Sequence, residues 1–432
     1  MRSAGRRFRG PESRSCAHAV IVLVALGLMC GGARLSQAEH EADRGRVHME
    51  GLVRAVNVTT GEETIAPGRE GLAVAPGDHL ALNLAQDYSW HYVWTGSEGK
   101  QVEFLQRESE KTRDLVLRSA GQERVMAMRG RYGIGVITWK ELEVVWPTTR
   151  GLISFDLQSS DVNDLSPVAN AKDLRYLNLD DCYAVLSVEP LGQLSHLRVL
   201  NLNSCFYVTD ISPLTKAKEL TELDLFDCRG VQSLLPLAEL PRLRWLRVEV
   251  RSSQDVAAVG RIESLAHLEM ICRGDVGTLE PLGRLRNLER LRLSGFAGND
   301  LSAVAALPGL RVLHVADASA LSDLAALSRA PELRALHLWR CPQLADLSPL
   351  AKFERLEHLD LWYCQAVRHL APLSGLHSLR VLELTQCPNV ELLEPLGRMP
   401  NLQRLKIGVG CGVSGPQISA FARRNRQCEI AY

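Results

Sequence analysis

A nine-residue frame, L-x-x-L-x-L-x-x-C, constrains this chain more than anything else in it. It is plainest in Leu356-Glu-His-Leu-Asp-Leu-Trp-Tyr-Cys364. The same frame starts at Leu174, Leu197, Leu220, Leu333 and Leu379, and with substitutions at Leu152, Leu243, Leu265, Leu288, Leu310 and Leu402. Neighbouring starts are 22 or 23 residues apart, and twelve copies in register leave little room for coincidence. A period of that length belongs to a solenoid, in which each repeat contacts only its neighbours and cannot bury its apolar face alone. Side chains alternate along a strand, so the leucines at positions 4 and 6 point inward while positions 3, 5 and 7 share the opposite face. Prolines at Pro167, Pro190, Pro213, Pro236, Pro281, Pro349, Pro372 and Pro395 fall in the return segments. They exclude a long α-helix there and predict turns or single-turn 3-10 helices.

This pattern resembles the leucine-rich repeat family over residues 152 to about 430. The resemblance implies a horseshoe solenoid with a parallel β-sheet on the concave face and 3-10 turns on the convex face. Phrases such as Asp210-Ile-Ser-Pro-Leu214 and Asp346-Leu-Ser-Pro-Leu350 look like the internalin type of repeat, although cysteine stands where that type usually has asparagine. Repeats are expected over 152–410. A terminal cap is expected over 411–432, with helical spacing at Ile418, Phe421 and Ala422 and a returning edge strand at Cys428-Glu-Ile430. Regularity fails between Leu243 and Ala330, where position 9 is Arg251, Arg273, Phe296 and Ala318 and three of four returns lack the proline. Neutral drift is the preferred explanation; a kink or a local contact surface is the alternative.

The stretch before the repeats reads differently. A basic segment with Arg2, Arg6, Arg7, Arg9 and Arg14 precedes the apolar run Ala19–Met29, and Ser36-Gln37-Ala38 supplies small residues for cleavage before Glu39. Residues 1–38 are therefore expected to be an export signal, too short in its apolar part to be a membrane span. Lipid attachment at Cys30 is the less favoured alternative, because Gly27 and Met29 fit a lipobox poorly. Residues 39–46 are expected to be a flexible leader. From 47 to 147 the alternation is period two with frequent turn residues, which predicts a β-sandwich. Strands are expected at Val53–Val58, His79–Leu84, Tyr88–Trp94, Val102–Gln106, Asp114–Leu117, Arg124–Met128, Gly133–Thr138 and Leu142–Trp146. The stretch Gly130–Trp139 looks like the closing strands of a bacterial immunoglobulin-like domain. Four aromatics on one face of Tyr88–Trp94 are read as core or joint rather than as a sugar platform.

Without residues 1–38 the chain holds 44 basic and 49 acidic residues, a net charge of −5. No basic stripe remains, so nucleic acid is excluded as a partner. Six cysteines form two ladders with a 23-residue step, Cys182, Cys205, Cys228 and Cys341, Cys364, Cys387. Stacked side chains at equivalent positions point the same way, which suits a disulfide badly, so buried free thiols with weak donor character are expected. Cys411 and Cys428 are the best candidates for a real disulfide.

Read along position 5, the concave face is acid and amide rich at first, then mixed in charge, then His and aromatic. The mixed middle is expected to be a solvated salt-bridge ladder. Trp339, Trp362 and Tyr363, with His337, Asp360 and His358 beside them, have the composition of a binding hot spot. Phe226 is a further exposed aromatic. Both indoles are expected to point outward, so that removing them barely affects folding. His314, His337, Asp360 and His358 also have a ligand set suited to zinc, but adjacent surface polar residues seldom bind metal, and neither a metal nor another cofactor is assigned. No motif of a Ser, Cys or metal hydrolase or of a phosphate-binding loop occurs. The expected function is an exported, non-enzymatic recognition protein whose concave face binds a protein partner. A cell-surface glycan-binding adhesin is the rival.

Overall fold

The computed structural model describes residues 152–158 and 162–431, with the backbone of eight strands between Arg46 and Met128. Among those eight, Glu63–Ile65, Leu52–Asn57, His79–Leu84 and Trp90–Trp94 form, in that order, a four-stranded antiparallel sheet. Arg46–Val47 pairs with Leu72–Ala73, and Leu115–Ala120 with Glu123–Met128, both antiparallel. Five of the expected strands are thus found. Those expected at Val102–Gln106, Gly133–Thr138 and Leu142–Trp146 lie outside the described residues, as do the export signal, Cys30, the leader up to Gly45, the side chains of Tyr88–Trp94 and the closing of a sandwich.

Thirteen strands follow from Leu152 to Ala431. Successive strands from Tyr176–Asn178 to Glu429–Ala431 pair in parallel. The position-4 leucines meet rung by rung, as in Leu336 to Leu359 to Leu382, and every one from Leu177 to Leu405 is at most 1% exposed. The register absorbs the 22-residue repeats, because Leu246 pairs with Leu268 as squarely as Leu223 does with Leu246.

Each proline-bearing return is a five-residue 3-10 helix, such as Ser348–Lys352 or Ala371–Gly375, with proline in its first turn. A missing N–H does no harm there. Where the proline is absent, two returns become α-helical instead, Ser253–Val259 and Ser302–Ala305. The first carries a capping box between Ser252 and Asp255. Strands also lengthen in this region, to six residues in Trp245–Val250 and His267–Cys272. The irregularity is therefore a change of local geometry as well as of sequence. The expectation of turns and 3-10 helices on every return does not hold there.

Position 8 ends the regular strands in a left-handed conformation. Asp181, Ser204, Asp227, Gly295, Asp317, Arg340, Tyr363 and Gln386 all have φ between 51° and 73°. This turn directs position 9 into the core. Each ladder thiol then donates to the position-6 carbonyl of the preceding rung: Cys182 to Leu157 at 3.0 Å, Cys205 to Leu179 at 3.3 Å and Cys228 to Leu202 at 2.9 Å. Cys364 reaches Leu338 at 3.2 Å and Cys387 reaches Leu361 at 2.7 Å; Cys341 lies 4.0 Å from Val315. Cysteine here supplies the donor that a buried carbonyl needs.

All nine described cysteines are free thiols, Cys411 and Cys428 included, so that candidate disulfide is not present in the structure. Burial pushes the Cys387 thiol up to about 12 and raises Cys205 as well. Thiolate, the reactive form, is suppressed at those two positions. Maleimide labelling of native protein is expected to leave the six ladder thiols unmodified until denaturant is added. Rapid native labelling of Cys205 or Cys387, mapped by mass spectrometry, would show an open ladder.

The expected C-terminal helix and returning strand are both found. Gly415–Arg424 is an α-helix with a capping box between Ser414 and Gln417; it buries Ile418 and Phe421, and Asn425 follows its last turn. Glu429–Ala431 then adds the final parallel strand.

Candidate recognition site on the concave face

The position-5 column has three distinct chemistries. At its start, Asn178, Asn201 and Asp224 each accept a hydrogen bond from the backbone N–H two residues on, at 3.1, 2.9 and 2.9 Å. These side chains satisfy the turn that ends the strand, so their type is set by backbone need. Asp180 also ties rungs together, accepting from Gln158 at 2.8 Å and from Asn203 at 2.6 Å.

In the middle, Arg247 lies 3.5 Å from both Asp224 and Glu269, with its guanidinium 4.1 Å from the centre of the Phe226 ring. The side chains of Arg247, Asp224 and Glu269 are only 14%, 2% and 12% exposed. An ion ladder is present, as expected, but it is buried rather than solvated. Burial pushes the Asp224 and Glu269 carboxyls up, with Arg247 opposing it. Phe226 is accounted for by this stack. It stands five frames before Trp339 and six before Trp362 in the sequence, about 24 Å from the nearer at ~4.8 Å per rung.

The last rungs bring the remaining candidates together. His314, Trp339 and Trp362 run edge to face, with ring centres 4.1 and 5.8 Å apart, and Tyr363 follows at 6.0 Å. Trp339 Nε1 donates to Asp360 Oδ2 at 2.6 Å, and His337 Nδ1 lies 3.6 Å from the same oxygen. His358 sits one position-3 step from this group, half-buried. Arginines stand over both indoles, Arg292 over Trp339 and Arg340 over Trp362, each at 5.5 Å. Arg340 forks onto Asp317 through Nε and Nη2, both at 2.5 Å, and Asp317 also accepts from Ser294 at 3.2 Å. Both indoles are half-buried, while Tyr363 is 38% exposed.

That packing revises one expectation. Removing Trp339 would strip Asp360 of its donor and His314 of its ring contact, so the indole has a share in folding. Trp362, one rung further, carries no such hydrogen bond among the described residues. Arg340 and Asp317 were not foreseen, because they occupy position 8, where strand alternation no longer says which way a side chain turns.

His314 is buried and its titration is depressed, first by desolvation and then by Arg292 and His337. Arg292 Nη1 lies 3.1 Å from His314 Nδ1. A guanidinium can only donate, so Nδ1 accepts and the ring proton of the neutral imidazole sits on Nε2. A histidine whose folded titration point is depressed stabilises the fold above the unfolded value, about 6.5, and ceases to as pH falls below it. Chemical denaturation at pH 7.5 and pH 5.5 is expected to show lower stability at the acid pH. His314→Gln is expected to flatten that slope, and an unchanged slope would refute the assignment. His314 Nδ1 and Asp360 Oδ2 are thus already engaged. Among the described residues no group of three or more His, Cys, Asp or Glu has the arrangement of a metal site.

Comparison with known proteins adds the following. The family described as "Leucine-rich repeat region" matches residues 151–344. No curated protein sequence matches the chain. Among solved structures, an internalin of Listeria monocytogenes is similar with a TM-score of 0.51 and 19% identity, over 66% of this chain and 88% of that one. Internalin C2 of the same organism gives 0.34 and 22%, over 50% and 80%. A leucine-rich repeat protein of Leptospira interrogans gives 0.41 and 16%, over 67% and 86%. Frame, strand ladder and the family match over residues 151–344 together show a leucine-rich repeat fold, similar to that of the Listeria internalin.

Proposed function

We propose that the chain is an exported recognition protein that binds a protein partner through the last rungs of its concave face, with no catalysis of its own. Leucine-rich repeat folds are consistent with protein–protein recognition. The observation that carries the local assignment is at Trp362-Tyr363. A half-buried indole and a tyrosine 38% exposed sit side by side, and the tyrosine is held at φ 56°. Left-handed backbone is costly for bulky residues, and strain of this kind collects at ligand sites. Most other rungs fill that position with Asp, Ser, Gly or Gln, but the two tryptophan rungs carry Arg340 and Tyr363. His337, His358 and Asp360 supply polar orientation beside rigid aromatic area, the composition that dominates binding energies.

The test is capture of crosslinked cell-surface proteins by the full chain and by Trp362→Ala. A protein retained by the first and lost with the second supports the reading. Equal capture by both moves the site elsewhere, and retention of glycans instead of protein on a parallel array favours the adhesin.

A further inference from the structure

The position-5 carboxylates are not alike. Asp224 and Glu269 share Arg247, and Glu383 holds Lys406 at 2.8 Å. Asp360 has no arginine or lysine partner among the described residues; its charged-group neighbour is His337 at 3.6 Å, beyond hydrogen-bonding distance. Its Oδ2 is held by the Trp339 indole, while Oδ1 accepts no hydrogen bond from a described residue and is not sealed from solvent. The side chain as a whole is only 12% exposed. One acceptor is therefore fixed in direction, at the base of two edge-to-face indoles.

We propose that Asp360, flanked by Trp339 and Trp362, is the receptor for a basic side chain, lysine or arginine, of the protein partner. The proposal rests on the concave-face reading above. A carboxylate without its own cation, in a mostly desolvated place, gains most from a cationic donor. Indole faces favour that same donor over a neutral one, and Arg292 and Arg340 already stand over these rings. The nearby positive charges do not compete for Asp360. Arg340 is forked onto Asp317, Lys406 is paired with Glu383, and Arg292 donates to His314. His337 and His358 border the group, so measurements belong near pH 8, above the ordinary imidazole range of about 6.5.

The probe is Nα-acetyl-arginine methylamide, with the citrulline analogue as its neutral isostere, titrated into the full chain while the indole N–H resonances of Trp339 and Trp362 are followed. The arginine compound is expected to shift both resonances saturably, and the citrulline compound to bind at least tenfold more weakly. Asp360→Asn keeps an acceptor for Trp339 and is expected to erase the difference. Equal binding of the two compounds, no binding by the arginine compound, or discrimination that survives Asp360→Asn would each overturn the proposal. If the variant fails to fold, the contrast on the unmodified chain decides alone. Partner capture separates the two claims. Capture lost in Trp362→Ala without arginine discrimination keeps the concave-face reading and rejects this receptor. Discrimination with undiminished capture keeps a cation site and rejects that reading.

Discussion

Leu359→Ala is expected to lower the unfolding free energy of the repeat domain by about 2–5 kcal/mol. Leu359 is 1% exposed, and on either side it meets Leu336 and Leu382, themselves fully buried. Rung spacing is set by the backbone hydrogen bonds of a parallel sheet, so the neighbours cannot close over the lost methyl groups. The cavity persists and its full penalty is paid. Leu235, 50% exposed on a return segment, is the control, and Leu235→Ala is expected to change stability by no more than about 0.5 kcal/mol. Solenoids can open locally, so a single global melt can miss the effect. Native-state hydrogen exchange across Gly415–Arg424 is the sharper measurement, since protection there depends on every rung between the defect and the cap. Equal loss in both variants would mean that the position-4 column does not carry the core.

The rung ladder was legible because it rests on one period and one alternation. Leucine spacing alone placed Leu336, Leu359 and Leu382 inside and the position-5 and position-7 residues on the other face, as observed. The thiol ladder was legible in part. Repetition argued for buried, reduced cysteines, but the partner carbonyls at Leu179 and Leu361 depend on the left-handed turn at position 8. No sequence signal marks that turn when its occupants are as varied as Asp181, Arg340 and Tyr363. The same blind spot hid Arg340 and Asp317 from the site. The middle of the column was misjudged for another reason: charge pattern gives the pairing of Asp224, Arg247 and Glu269 but not how deeply they are buried. The α-helical returns at Ser253–Val259 and Ser302–Ala305 follow from removing the proline constraint, which permits a helix without requiring one.

Tyr363→Asn is expected to weaken binding while leaving folding nearly unchanged. Asparagine tolerates the left-handed region far better than tyrosine, as a short side chain that can hydrogen-bond its own backbone. At φ 56° the substitution relieves a backbone strain of about 1–3 kcal/mol, which offsets the burial lost from a side chain 38% exposed, so the domain is expected to keep its stability. The same change removes a ring 6.0 Å from Trp362, and truncating a hot-spot aromatic costs about 2 kcal/mol or more in affinity, roughly thirtyfold. Trp362→Ala is expected to weaken partner binding at least as much. Thermal melts and affinity for the captured partner, measured on the same preparations, check both expectations. If Tyr363 served only to pack the last rungs, its removal would lower stability and leave affinity alone. A residue kept for recognition gives the reverse, because the left-handed turn is common to the regular rungs and does not itself require an aromatic ring.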